Sequence, residues 1–224
     1  LTFCSSVCII CPVIQVAQHD FREFYGGNSM PPKVLFTKEE ITDAAVRVVR
    51  KKGSSALTAR SLAAELGCSV KPIFGAFKNM DEVRSEVIKA SEKIYRDRLA
   101  QAEKDGKNPP YKSAGLAYIK FAKEEKELFK LLFMRSRSEE DDIEPEETAG
   151  LLSLIRKSTG LDEKEAFLFH LETWVFVHGF ATMIATEYLE WDDDFLSRAL
   201  SDCYFGLKTR LGDTKKDENI PENR

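Results

Sequence analysis

Residues 58–80, TARSLAAELGCSVKPIFGAFKNM, decide how this chain is read. They predict two short helices joined by a tight turn. The first runs from Thr58 to Leu66 and turns Leu62, Ala63 and Leu66 inward. Gly67 follows, and glycine takes the left-handed conformation that ends a helix without a Cβ penalty. Ser69 is placed to cap the second helix, and Pro72 falls in its first turn, where a missing N–H costs little. Ile73, Phe74 and Phe77 supply its apolar side. Two short helices crossing at a glycine turn make a helix-turn-helix, whose second helix enters a DNA major groove. An ordinary helical hairpin has the same local pattern, so the flanking chain must decide.

Upstream, Thr37 and Glu40 form a capping box. Ile41, Ala44, Ala45, Val48 and Val49 then recur on one helical face. Arg50, Lys51 and Lys52 sit in the last turn, where the helix dipole favours cations, and Gly53 ends the helix. Downstream, Asn79 with Glu82 opens a long helix through Val83, Val87, Ile88, Ile94, Tyr95 and Leu99 to about Lys104. The run DGKNPP at 105–110 is the clearest break. Charge follows the same division. The chain as a whole carries a net charge of −4, yet residues 31–80 hold nine Lys/Arg against four Asp/Glu. A basic module on an acidic body points to a polyanion partner for that module alone.

The second half is also helical. Tyr111–Lys123 and Glu127–Arg135 are amphipathic, and an acidic stretch at 139–147 predicts a solvated loop. Thr148–Lys157 follows as a short helix. Asp162 with Glu165 opens a helix reaching about Leu189 that is apolar almost all round, and a last helix spans about Asp194–Leu211. A helix apolar on every side must be covered on every side. These two helices are therefore expected to form a four-helix interface in a homodimer, through Phe180, Ile184, Leu196, Leu200 and Tyr204. No apolar run approaches the roughly 20 residues of a bilayer span, and the five cysteines form no disulfide framework, so a cytoplasmic protein is expected.

The combination now has a resemblance. Residues 37–83 resemble the DNA-binding domain of TetR-family transcriptional regulators: a first helix ending in glycine, a Thr-started second helix, Gly67, a short recognition helix from Ser69 to Phe77, and the turn Lys78-Asn79-Met80-Asp81-Glu82-Val83. Two departures stand out. The family usually carries Tyr where Phe74 stands and His or Tyr where Ala76 stands, both touching phosphates; Met80 also replaces a usual Lys. The segment Tyr118 to Phe133 and the Trp174…His178-Gly179 motif are similar to one regulatory-domain class of the family, with Lys126 where Pro is common.

The expected architecture is thus all-α: a helix-turn-helix domain over 30–84, a ligand-binding and dimerisation domain over 85–212 and a polar tail over 213–224. The resemblance implies double-stranded DNA and a small apolar effector as partners. For base readout the candidates are Ser69, Val70, Lys71 and Pro72, of which Lys71 alone can reach a guanine edge. Arg47, Thr58, Arg60, Phe74 and Lys78 are further candidates for contact with DNA, the polar ones through phosphates. The effector pocket is expected between helices, lined by Tyr118, Phe121, Phe129, Phe133, Trp174 and His178.

No catalytic set emerges, and no cofactor or metal is expected. His170 and His178 lie eight residues apart, roughly 80° around a helix, with no nucleophile or paired acid. Residues 1–29 are expected to be poorly ordered or non-native, with the true start at Met30 behind a ribosome-binding sequence encoded by Gly26-Gly27. Their Cys4, Cys8 and Cys11 nonetheless have a spacing that resembles the cluster loop of radical-SAM enzymes. An iron–sulfur enzyme and a helical protein–protein adaptor are therefore the competing classes. Cluster absorbance discriminates the first, and absence of specific duplex binding the second.

Overall fold

The computed structural model describes residues 36–135 and 145–217, without the side chains of 145–148 and 213–217. The extension over 1–29, the start at Met30, the cysteine triplet, most of the acidic stretch and the end of the polar tail lie outside the described residues. Those described form nine α-helices and no strand.

Helix α1 (Lys38–Lys52) starts on the expected capping box. Thr37 Oγ1 accepts from Glu40 N, and the Glu40 carboxylate accepts from Thr37 N. A 3-10 turn (Ser54–Ala56) leads to α2 (Ala59–Leu66), capped by Thr58 with Ser61 and closed by left-handed Gly67. Helix α3 (Lys71–Ala76) differs from expectation. Val70, not Ser69, is its N-cap, itself in helical conformation (φ −70°, ψ −15°), and no side chain caps the helix. Helix α4 (Met80–Lys104) starts on Asn79, whose side chain accepts from Glu82 N. Its 25 residues make a rod about 37 Å long.

On that rod pack α5 (Pro110–Glu124) and α6 (Lys126–Phe133), and against α5 in turn pack α7 (Pro145–Thr159), α8 (Glu163–Ala185) and α9 (Asp193–Asp217). Helix α7 starts three residues before the expected Thr148, with Pro145 in its first position, so part of the acidic stretch is helical. Helix α8 begins on the Asp162–Glu165 capping box as expected but ends four residues early. There Glu187 takes a left-handed conformation (φ 58°). Tyr188 N then donates to Met183 O and Glu187 N to Ile184 O, the paired closure of a Schellman motif.

One core runs from Ile41, Val49, Leu62, Ile73 and Val83 through Phe121, Leu128 and Phe129 to Val177, Ile184 and Leu200. A second, smaller core gathers Ile155, Leu161, Ala166, Phe169 and Leu211 at the α7 end of the body. Helix α8 crosses both. By length and composition alone it could cross a bilayer, so the expectation that no apolar run approaches that length is corrected. Its inner face, from Ala166 through Phe169, Thr173 and Val177 to Ala181 and Ile184, is packed against protein. The residues expected at the dimer face are largely turned into the chain's own core. Ile184, Leu196 and Leu200 are 1%, 3% and 5% exposed, Phe180 is half-buried against the same core, and Tyr204 lies beside the second. The outward apolar residues of these helices include Phe167, Leu168, Leu171, Val175, Phe176, Met183, Phe195 and Phe205. An all-round apolar sequence sets no azimuth; packing against α5 chooses it.

Candidate functional sites

The helix-turn-helix presents α3 with one face locked and one face open. Ile73 and Phe77 are buried against α1, α2 and α4, whereas Val70 (40% exposed) and Phe74 (47% exposed) point to solvent. Residues i and i+4 lie one helical turn apart, so the two make one apolar strip on the open side. The expectation that Phe74 shares the inward face with Ile73 and Phe77 is thereby corrected. Ser69, Lys71 and Lys78 are exposed beside the strip, and Pro72 is half-buried.

The cations of this region divide into two groups. Arg47 and Lys51 share the Glu65 carboxylate at 3.0 and 2.9 Å, which holds that carboxyl below its usual range; the Lys51 bond is the larger cause. Lys38 pairs with Glu82 at 2.8 Å. Arg47, expected to be available to phosphates, is therefore tied to α2 by Glu65. Lys52, Arg60, Lys71 and Lys78 are exposed and form no ion pair with another described residue. Thr58 is spent on its cap: its hydroxyl accepts from Ser61 N, and its own N–H donates to Ser61 Oγ.

The helix-turn-helix is fastened to the body at one elbow. Arg50, in the last turn of α1, donates through Nε and Nη2 to both oxygens of Glu125, at 2.8 and 2.9 Å. Arg98 of α4 bonds the same carboxylate and its neighbour Glu124. Gly53 follows with φ 80°, ψ 167°, and a Cβ there would meet Glu127 Oε2 at 2.7 Å.

Within the body, a cavity of about 590 Å³ lies between α4, α5, α7, α8 and α9, where the two cores meet. Four tyrosines line it: Tyr95, Tyr111, Tyr118 and Tyr204. Two carry a histidine partner, Tyr111 Oη to His170 Nδ1 at 3.1 Å and Tyr118 Oη to His178 Nδ1 at 2.9 Å. Burial raises both phenols and lowers both imidazoles from their ordinary values, so all four are neutral at pH 7. Trp174 stacks on His178 with ring centroids 5.2 Å apart.

Of the expected pocket residues, Tyr118 and Trp174 line this cavity and His178 supports both. Phe121 and Phe129 do not; they are fully buried in the main core, and Phe133 packs beside them. Tyr95, Tyr111, His170, Thr173, Tyr204 and Phe205 were not foreseen as lining. Within α5 one signal separates lining from core. A tyrosine hydroxyl needs a polar partner, so Tyr111 and Tyr118 face the cavity while Phe121 fills the core. Among the described residues no cluster of His, Cys, Asp and Glu could hold a metal ion. Cys68 and Cys203 are both half-buried, and burial pushes the Cys203 thiol up.

Two short helices at a glycine turn are thus joined to an all-helical body that holds a cavity of ligand size. Residues 111–202 match the family model described as "Tetracyclin repressor-like, C-terminal domain". Among solved structures, the chain is similar to a TetR-family transcriptional regulator from Vibrio parahaemolyticus (19% identity, TM-score 0.52, covering 75% of this chain and 97% of that one). It is likewise similar to a TetR-family member from Streptomyces coelicolor A3 (18%, TM-score 0.53, 77% and 98%). A third is the multidrug binding protein EbrR complexed with malachite green (18%, TM-score 0.52, 77% and 98%). No curated protein matches by sequence. Residues 111–202 therefore match a tetracycline-repressor-like C-terminal domain, and the chain shares the all-α fold of these solved TetR-family regulators.

Proposed function

We propose that this protein is a cytoplasmic, ligand-responsive repressor that binds a palindromic DNA operator as a homodimer. The observation that carries the reading is the open side of α3, where exposed Val70 and Phe74 stand beside the unpaired cations Lys71 and Lys78. Apolar side chains of this kind contact thymine methyl groups in the major groove, and lysine reaches guanine acceptors or phosphates. The second recognition helix comes from a symmetry mate, about 34–36 Å away along the duplex. The proposed interface is the outward strip of α8, Leu168, Leu171, Val175 and Phe176, with Phe195 of α9. Such a contiguous apolar patch is uncommon on a free monomer, and a two-fold axis lets it cover itself. An effector in the tyrosine-lined cavity shifts the dimer to a separation that no longer fits the operator, through its differential affinity for the two states.

Binding to the DNA flanking the protein's own gene, at controlled salt and against random duplex, tests the reading. Preference for the flanking duplex is expected, and Lys71→Ala should lower it by about 1–3 kcal/mol if Lys71 reads a base. Equal affinity for both duplexes rejects the repressor and favours a protein–protein adaptor. Light scattering tests the dimer separately: Val175→Glu should yield monomers, and an unchanged dimer would place the interface elsewhere.

A further inference from the structure

The charge of the cavity wall narrows what the cavity accepts. Among the described residues that line it there is no aspartate or glutamate, whereas Lys112 and Lys157 both do. Lys112 is half-buried at the start of α5, and its Nζ donates to Ser201 Oγ of α9 at 2.9 Å. Ser201 Oγ is itself fixed, donating to Ser197 O one turn earlier at 3.0 Å. The serine thus turns a lone pair towards the ammonium and holds it at the wall. An ammonium has three N–H donors, and this bond uses one. No described carboxylate forms an ion pair with Lys112 or Lys157. Glu172 neighbours the lining residue Thr173 but is held by Arg210 at 2.6 Å.

The rest of the wall is apolar and aromatic, from Leu151, Leu154, Trp174 and Val177 to Leu200 and Phe205. A charge beside such a wall acts more strongly on a ligand than it does in water. A cationic ligand would meet two ammonium groups and no counter-charge. An anionic head would find Lys112 already desolvated on one side and positioned.

We propose that the cavity binds an apolar molecule carrying a carboxylate head, such as a medium-chain carboxylic acid, with Lys112 held by Ser201 as its counter-charge. The hydrocarbon lies along the aromatic wall between α5, α8 and α9. This rests on the cavity being the effector site. It goes further in fixing the sign of the ligand's charge and the residue that reads it.

Calorimetric titration of the full-length protein at pH 7.5 with three ligands of one chain length tests the inference: decanoate, 1-decanol and decyltrimethylammonium. Decanoate is expected to bind at least about tenfold more tightly than either, the difference made by one charge-assisted hydrogen bond. Lys112→Met should bring decanoate to within about twofold of decanol and leave decanol unchanged. If Lys112→Met fails to fold, Lys112→Gln replaces it, and the wild-type comparison stands by itself. Decanol or the ammonium binding as tightly as decanoate overturns the carboxylate assignment and leaves the effector site intact. Undiminished decanoate preference in the variant overturns the role of Lys112. No binding of any of the three overturns the cavity as an effector site as well, whatever the DNA experiment shows.

Discussion

Arg50 and Glu125, 75 residues apart in sequence, share two parallel hydrogen bonds of 2.8 and 2.9 Å between the end of α1 and the start of α6. The carboxylate is largely buried, and Arg98 bonds it from a second side. Removing Glu125 leaves Arg50 without its partner and Arg98 with Glu124 alone. Glu125→Ala is expected to cost about 2 kcal/mol, a fall in Tm of several degrees for a chain of this size. Arg50→Ala should cost less, since Arg50 is partly exposed and screened. A double-mutant cycle should return a coupling of about 1 kcal/mol. Additive losses would show that the pair contributes nothing to joining the two parts.

Gly53 is the backbone hinge beside that pair. At φ 80°, ψ 167° an L side chain is strained whatever the space, and the added Cβ also displaces the Glu127 carboxylate. Gly53→Ala is expected to destabilise by about 1–3 kcal/mol in urea denaturation with little change in m. Glu127→Ala/Gly53→Ala separates the two causes. It should recover only the steric part, and full recovery would rule out backbone strain.

In the proposed DNA-binding reading, Phe74 lies on the open side of α3, where the resemblance leads one to expect a tyrosine. Its 47% exposure leaves room for a hydroxyl at the ring edge. Phe74→Tyr is expected to tighten operator binding by about fivefold, one neutral hydrogen bond, without changing the salt slope, because no ion is released. A steeper salt dependence, or no gain on any duplex, would remove this side chain from the DNA surface.

Acid sensitivity should appear in two windows. Burial lowers His170 and His178 from 6.5, so between that value and their folded pKa the unfolded chain binds more protons than the native one. Stability from this source is complete above pH 6.5 and declines as pH falls below it. Glu65, Glu82 and Glu187 are lowered from 4.5 by hydrogen bonds from Lys51, Lys38 and Lys126, so their contribution disappears only below that value. Tm should therefore drop between pH 7.5 and 5.5, and His170→Gln/His178→Gln should flatten that drop. An equally steep drop in the double variant would assign it to other groups.

Caps were the most legible part of the fold. Thr37–Glu40, Asn79–Glu82 and Asp162–Glu165 each start a helix where the spacing predicts, because a cap is decided within four residues. Ser69 misled because the helix starts one residue later, on Val70, and no side chain caps it. Facing was the least legible. Helix α8 is apolar around most of its circumference, and no local rule tells Leu171 from Ile184. The same held for the pocket. Spacing marks Tyr118 and Phe121 alike as inward, and only the hydroxyl, with its partner His178, separates cavity wall from core filler. Lys112 carried no local sign at all, since its partner Ser201 lies 89 residues away.

The two tryptophans of this chain were placed by the fold at opposite ends of a question. Trp174 lies on the cavity wall, flat against an imidazole, while Trp191 is boxed by Phe180 and Phe195 near the α8–α9 turn. Intrinsic emission is therefore a two-channel instrument with no dye attached. With Trp191→Phe the light comes from the cavity wall alone, and with Trp174→Phe from the helix pair beside the outward strip. Occupancy and assembly can then be watched separately, in one molecule and in real time.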